Sequence, residues 1–185
     1  ILCGFGGFNL VNILVVGGSG YIGSRLVPYL SQWHSVTNYD LTHGEDVRNI
    51  LLLRKFMADK QVVIYLAALS NNDMCNRSPQ LAAAFNKDVF PSVVASAATV
   101  DRFIYASSVA AYGDQDNASE DFELKPTTKY GVVTERIICS LTWKGRDINL
   151  GLFFRKFSTR TVDTGAKNQK QNHQKSHWFS LLVEE

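Results

Sequence analysis

At 185 residues, 45% hydrophobic and 19% charged with a formal net charge of +2, the chain has the size and balance of one ordinary soluble domain with a single substantial core. Nothing in that balance suggests a nucleic-acid binder overall, and no apolar run approaches the ~20 residues of a membrane span. Three widely spaced cysteines, Cys3, Cys75 and Cys139, show neither a disulfide framework nor zinc spacing, which favours a reducing cytoplasm.

The apolar start, ILCGFGGFNLVNILVVGG, lacks a charged n-region and runs into a glycine array, so it does not read as a signal segment. NILVV (12–16) predicts a buried parallel strand by its lack of alternation. YIGSRLVPYLS has helical spacing of Ile22, Leu26 and Leu30, with Pro28 expected to kink it. SVTNYD (35–40) is a second strand, and DVRNILLLRKFMAD (46–59) a helix with Asp46 near its start. Only four residues lie between Leu41 and Asp46, so a further outer strand is expected to be vestigial.

QVVIYLAA (61–68) reads as a third strand. SPQLAAAFNKDVFPSVVASAAT reads as a long helix capped by Ser78, opened by Pro79 and bent at Pro91. DRFIYASS (101–108) is a fourth strand, followed by a loop, a helix over KYGVVTERIICSLTW and a strand at 147–154. Strands alternating with helices predict an α/β fold, a doubly wound parallel sheet with helices on both faces.

VVGGSGYIG places Gly17, Gly20 and Gly23 between a strand and a helix. Gly17 permits a tight turn, Gly20 lets the backbone approach a pyrophosphate, and Gly23 lets helix and strand pack closely. The helix N-terminus then offers free N–H groups to phosphates. Asp40 ends the next strand about 20 residues on, where a carboxylate accepts from both ribose hydroxyls and repels a 2′-phosphate. This pattern favours NAD over NADP. The earlier GFGG (4–7) precedes the strand rather than following it, and is discounted.

With GEDVRN, VIYLAALS, FIYASSVAAYG and Tyr130-Gly131 following in order, residues 10–154 resemble the extended short-chain dehydrogenases/reductases. Within them the chain is similar to the NAD-dependent epimerase/dehydratase family, which includes the UDP-glucose 4-epimerases. The resemblance implies a Rossmann fold, a nucleotide-activated sugar as substrate, and transient hydride transfer to NAD. It implies that Tyr21 and Ile22 flank the pyrophosphate and that Asp46 and Val47 contact adenine. Leu66, Ala67, Ala68 and Leu69 would line the cofactor cleft, with Asn86 near the nicotinamide half. Ser108 and Tyr130 would be catalytic. Simpler roles stand beside these: Asp46 as a helix cap, Leu66–Leu69 as sheet core, Asn86 as a backbone partner, Ser108 as a turn serine. Helices at 79–100 and 128–143 pack dimers in relatives, which makes a homodimer the implied assembly.

The family pairs its tyrosine with a lysine four residues on, but here that position is Thr134. A tyrosine of pKa ~10 is ionised in only about one molecule in a thousand at pH 7, and a nearby ammonium favours the anion. Lys129 and Arg136 fall on other helix faces; Lys125, in the preceding loop, stays open as a substitute. The alternative function is therefore a non-catalytic NAD-binding sensor or scaffold.

Residues 155–185 carry six Lys+Arg against three Asp+Glu and are rich in Gln, Asn and Thr. They read as a polar basic tail after a cofactor-binding domain over 1–154, with most of a C-terminal substrate domain missing. His173 and His177 lack a third ligand, so no metal site is expected.

Overall fold

The computed structural model describes residues 10–115, 123–132 and 134, all within one compact unit of the chain, Ile1–Arg155. The expected strand at 147–154 and the tail at 155–185 lie outside the described residues.

Four parallel strands form one sheet: β1 (Asn12–Val16), β2 (Ser35–Tyr39), β3 (Val62–Tyr65) and β4 (Arg102–Tyr105), in the order β2-β1-β3-β4. β1 is central, and Ile13, Leu14, Val15 and Val16 have no solvent exposure. That explains the unbroken apolar run, since both faces of a doubly covered parallel strand are buried. Leu14 and Val16 join Val63, Tyr65, Phe103 and Tyr105 in a core completed by Leu53, Met57, Phe90 and Val93. Those last four come from α2 (Ile50–Met57) and α5 (Phe90–Ser96), which pack beside each other. Tyr65 and Phe90 meet edge to face at 5.5 Å, and Phe90 and Tyr105 at 5.0 Å. Leu26 and Leu30, on α1 (Gly23–Leu30), are buried outside that cluster.

From β1 the chain passes to β2 on one side, then to β3 on the other. The carboxyl ends of β1 and β3 thus form the switch point at which open α/β sheets hold ligands. The expected vestigial outer strand is reduced to a single helical turn, Leu41–His43, and β2 is the edge of the described sheet.

Several helix boundaries differ from expectation. Pro28 lies within the last turn of α1, which ends at Leu30. α2 starts at Ile50, where the Asn49 side chain accepts the Leu52 N–H at 3.2 Å; Asp46 stands outside it, in a turn. An unanticipated short helix, α3 (Asn72–Arg77), is capped by Asn71. Ser78 precedes α4 (Pro79–Ala83) without a side-chain cap bond. The long helix expected over 78–99 is divided into α4, a π-helical turn (Ala84–Asp88) and α5. Pro91 supplies the reason: it has no N–H for the carbonyl of Lys87, and its ring crowds that carbonyl.

Candidate functional site

The glycine turn is built for close approach. Gly17 has φ +87° and donates its N–H to Tyr39 O at 2.8 Å; a Cβ there would lie 2.7 Å from Ala67 N. Only glycine fits that conformation beside that backbone. Gly23 would drive a Cβ into Gly18 and 2.6 Å from Gly17 O, so it seats α1 against the turn. A Cβ at Gly20 would meet only Gly17 O, at 3.3 Å, which leaves the outer side of the turn open.

Asp40 ties this turn to the end of β2. Its Oδ2 accepts the Ser19 N–H at 2.9 Å, while Oδ1 accepts the Thr42 N–H and faces the Thr42 hydroxyl, each at 2.9 Å. Burial alone would raise the pKa of this carboxyl, but the bonds from Thr42 and Ser19 hold it below the usual carboxylate range. A carboxylate has about four lone-pair positions; three are used, and Oδ2 keeps one. Asn38 and Thr42 also lie within hydrogen-bond distance of the Ser19 hydroxyl, at 3.1 and 3.0 Å.

A cleft of ≈ 170 Å³ opens between these elements. Gly17, Gly20 and Asp40 line it together with Leu66, Ala67, Ala68 and Leu69. Tyr39, Leu41, Glu45, Val47 and Phe85 close the β2 end. That volume is below the ~300–1,000 Å³ of pockets that enclose a whole ligand. Leu41, Glu45 and Phe85 were not picked out from sequence, and neither were Ser19 and Thr42. An acidic residue followed two positions on by threonine, Asp40-Leu41-Thr42, is the side-chain turn signature by which Thr42 was open to identification.

Asp46 is not in the cleft. Its carboxylate is held bidentately by Arg48, whose guanidinium sits 4.1 Å above the Phe85 ring. The Arg48 side-chain bond is the main reason its pKa is lowered. Asn86, on the π-helical turn, accepts the Leu69 N–H at 2.8 Å and donates to Leu69 O at 3.0 Å. It braces the cleft wall from behind. Tyr21 is 83% exposed and lies under the Arg25 guanidinium at 4.5 Å, next to Ile22 at the start of α1.

Ser108 and Tyr130 lie outside the cleft. Ser108 opens a tight turn, its hydroxyl accepting the Ala110 N–H at 3.2 Å. The backbone becomes helical at Lys129, where Thr128 accepts the Gly131 N–H at 3.0 Å. A Cβ on Gly131 would clash with Ala110 O, so this helix start packs directly on the turn that Ser108 opens. Burial raises the Tyr130 pKa, and a Thr134 hydrogen bond opposes it only in part. Thr134 is buried, and its hydroxyl donates to Tyr130 O at 3.0 Å. Lys125 pairs with Glu123 at 2.9 Å. Among the described residues no group of three or more metal-ligating side chains converges, and no helix is long and apolar enough to cross a membrane.

Comparison with known proteins bears on the same region. A curated UDP-glucose 4-epimerase from Rhizobium meliloti is 26% identical over 198 residues, covering 94% of this chain and 59% of that protein. The solved UDP-N-acetylglucosamine 4-epimerase of Methanobrevibacter ruminantium, in complex with UDP-N-acetylmuramic acid, superposes with a TM-score of 0.67 at 23% identity. That match covers 77% of this chain and 53% of the other. The UDP-glucose 4-epimerase of Brucella ovis, in complex with NAD, gives 0.67 at 22% identity, covering 76% and 49%. The chain thus spans about half to three-fifths of the length of these relatives. The model of the NAD dependent epimerase/dehydratase family matches residues 13–144. With a Rossmann sheet, a glycine turn at its switch point and that match over most of its length, the chain belongs to the NAD-dependent epimerase/dehydratase family.

Proposed function

We propose that the chain is the cofactor-binding part of a nucleotide-sugar epimerase or dehydratase, and that it binds NAD in the cleft between Asp40 and Leu66–Leu69. The Asp40–Ser19 tie carries this reading: it fixes a carboxylate with a spare acceptor position beside a turn whose outer face is open. In the proposal, Oδ2 of Asp40 accepts from an adenosine ribose hydroxyl. Val47 and Phe85 present apolar surface to the base. The Gly17–Gly23 turn and the start of α1 receive the pyrophosphate. Tyr21 and Ile22 stand at that helix start, and Asn86 holds the wall on which the cofactor rests. Bound NAD would supply a hydride acceptor.

The substrate would be a nucleotide-activated sugar, as in the relatives. Tyr130, as the tyrosinate, would take the proton of a ring hydroxyl at its phenolic oxygen, and the Ser108 hydroxyl would polarise that hydroxyl. The setting in a reducing cytoplasm, the separate tail at 155–185 and a homodimer belong to the same proposal.

A second reading, a binder without turnover, is favoured by one observation. The Tyr130 phenol is shifted away from ionisation, and Thr134 brings no charge to reverse that. Calorimetric titration of the chain with NAD and with NADP tests the cofactor reading. Saturable NAD binding with weaker NADP binding is expected, whereas no binding of either by the folded chain overturns it. Assay with UDP-sugars then separates an enzyme from a binder.

A further inference from the structure

The five residues after Asp40 bring a second carboxylate into the cleft. Glu45 Oε2 accepts the Asp40 N–H at 2.8 Å, and Glu45 N donates back to Asp40 O at 3.2 Å. Gly44, at φ +80°, reverses the chain so that this exchange closes. The Glu45 side chain is only 18% exposed and lines the same end of the cleft as Asp40 and Leu41. Where an outer strand would carry the chain away, the short turn keeps both acids at one point.

Among the described residues no cation neutralises the pair. Arg48 is committed to both oxygens of Asp46, and the basic group paired with Glu45 is His43 Nδ1 at 3.7 Å, on a half-exposed side chain. Two carboxylates in a partly enclosed cleft impose a negative potential that adds over both charges.

We propose that Glu45 is a specificity-determining residue. With Asp40 it selects an adenine dinucleotide whose adenosine ribose carries free 2′ and 3′ hydroxyls and rejects one with a 2′-phosphate. The proposal rests on the cofactor reading above. Asp40 acts by accepting a hydroxyl; Glu45, whose Oε2 is taken by the Asp40 amide, acts by its charge.

The test is titration of the full 185-residue chain with NAD and NADP, comparing wild type with Glu45→Gln. The amide oxygen of glutamine still accepts the Asp40 N–H, so a purely structural role leaves the NADP-to-NAD affinity ratio unmoved. Loss of the charge is expected to raise that ratio roughly three- to tenfold. His43→Lys, at a half-exposed position, sets a permanent cation beside Glu45 without replacing it; the ratio should move in the same direction. It serves in place of Glu45→Gln if that variant does not fold. An unchanged ratio in folded variants, with the wild type binding NAD, overturns the role of Glu45 alone. A folded wild type that binds neither dinucleotide overturns the cofactor reading, and this proposal with it.

Discussion

The carboxylate of Asp40 accepts the Ser19 N–H at 2.9 Å across 21 residues of sequence, joining the end of β2 to the glycine turn after β1. Asparagine cannot replace it without loss. Its single oxygen would serve either Ser19 or Thr42, and its NH2 group would face the other N–H. Asp40→Asn should cost about 1–3 kcal/mol of stability, read from urea unfolding, and weaken NAD binding in calorimetry.

The same carboxylate sets an acid limit. Its folded pKa is lowered, so its stabilising effect is complete above the unfolded value of ~3.9 and is lost as pH falls through the lower folded value. Thermal melts of wild type should lose stability on acidification below about pH 4 more steeply than those of Asp40→Asn. Parallel curves would remove Asp40 from the account.

Tyr39 sets an alkaline limit. Its hydroxyl donates to Asp46 O at 2.8 Å, and burial, with smaller effects from Glu45 and Asp46, pushes its pKa up to about 12. A raised folded pKa stabilises fully below the unfolded value of ~10 and fades as pH climbs through the folded one. Tyr39→Phe should cost about 1 kcal/mol at neutral pH and flatten the loss of stability between pH ~10 and ~12.

Gly17→Ala puts a methyl group 2.7 Å from Ala67 N at a φ of +87°. Both the strained backbone and the collision act, so the expected loss exceeds ~1 kcal/mol. NAD affinity should fall at least tenfold, measured under conditions where circular dichroism shows the variant folded.

Thr134→Lys places an ammonium one helical turn from Tyr130. The Tyr130 pKa, raised by burial, should fall in an ultraviolet titration, whereas Thr134→Met should not lower it. A phenol unmoved by the lysine would show that the two side chains do not meet, and would favour the non-catalytic reading.

The sheet was legible because its signal is local. NILVV is a short β-branched run on which β1 falls residue for residue, and QVVIYLAA contains β3, which stops three residues earlier, at Tyr65. The glycine turn and Asp40 were legible for the same reason: each residue type answers a backbone or charge requirement at its own position. The division of the helix at 84–88 was not, since Pro91 announces a break but not that the turn before it widens to π. Nor was Glu45, whose place depends on Gly44 turning the chain back onto Asp40. Asn86 was expected near the cofactor, with a backbone role held open, and its amide is spent on both backbone groups of Leu69.

The position of β2 at the sheet's edge carries one more consequence. In a parallel ladder a residue's N–H and C=O point to the same side. Ser35 N and Tyr39 O bond inward, to Val11 and Gly17, so Val36, Asn38 and Asp40 point outward. The outward groups of Asp40 are already occupied: Glu45 takes its N–H, and the amides of His43 and Glu45 take its carbonyl. Among the described residues an arriving strand therefore finds outward backbone at Val36 and Asn38, too short a template for edge-to-edge association. The turn that replaces the outer strand thus shortens the β2 edge as a template for another strand as it shapes the cleft.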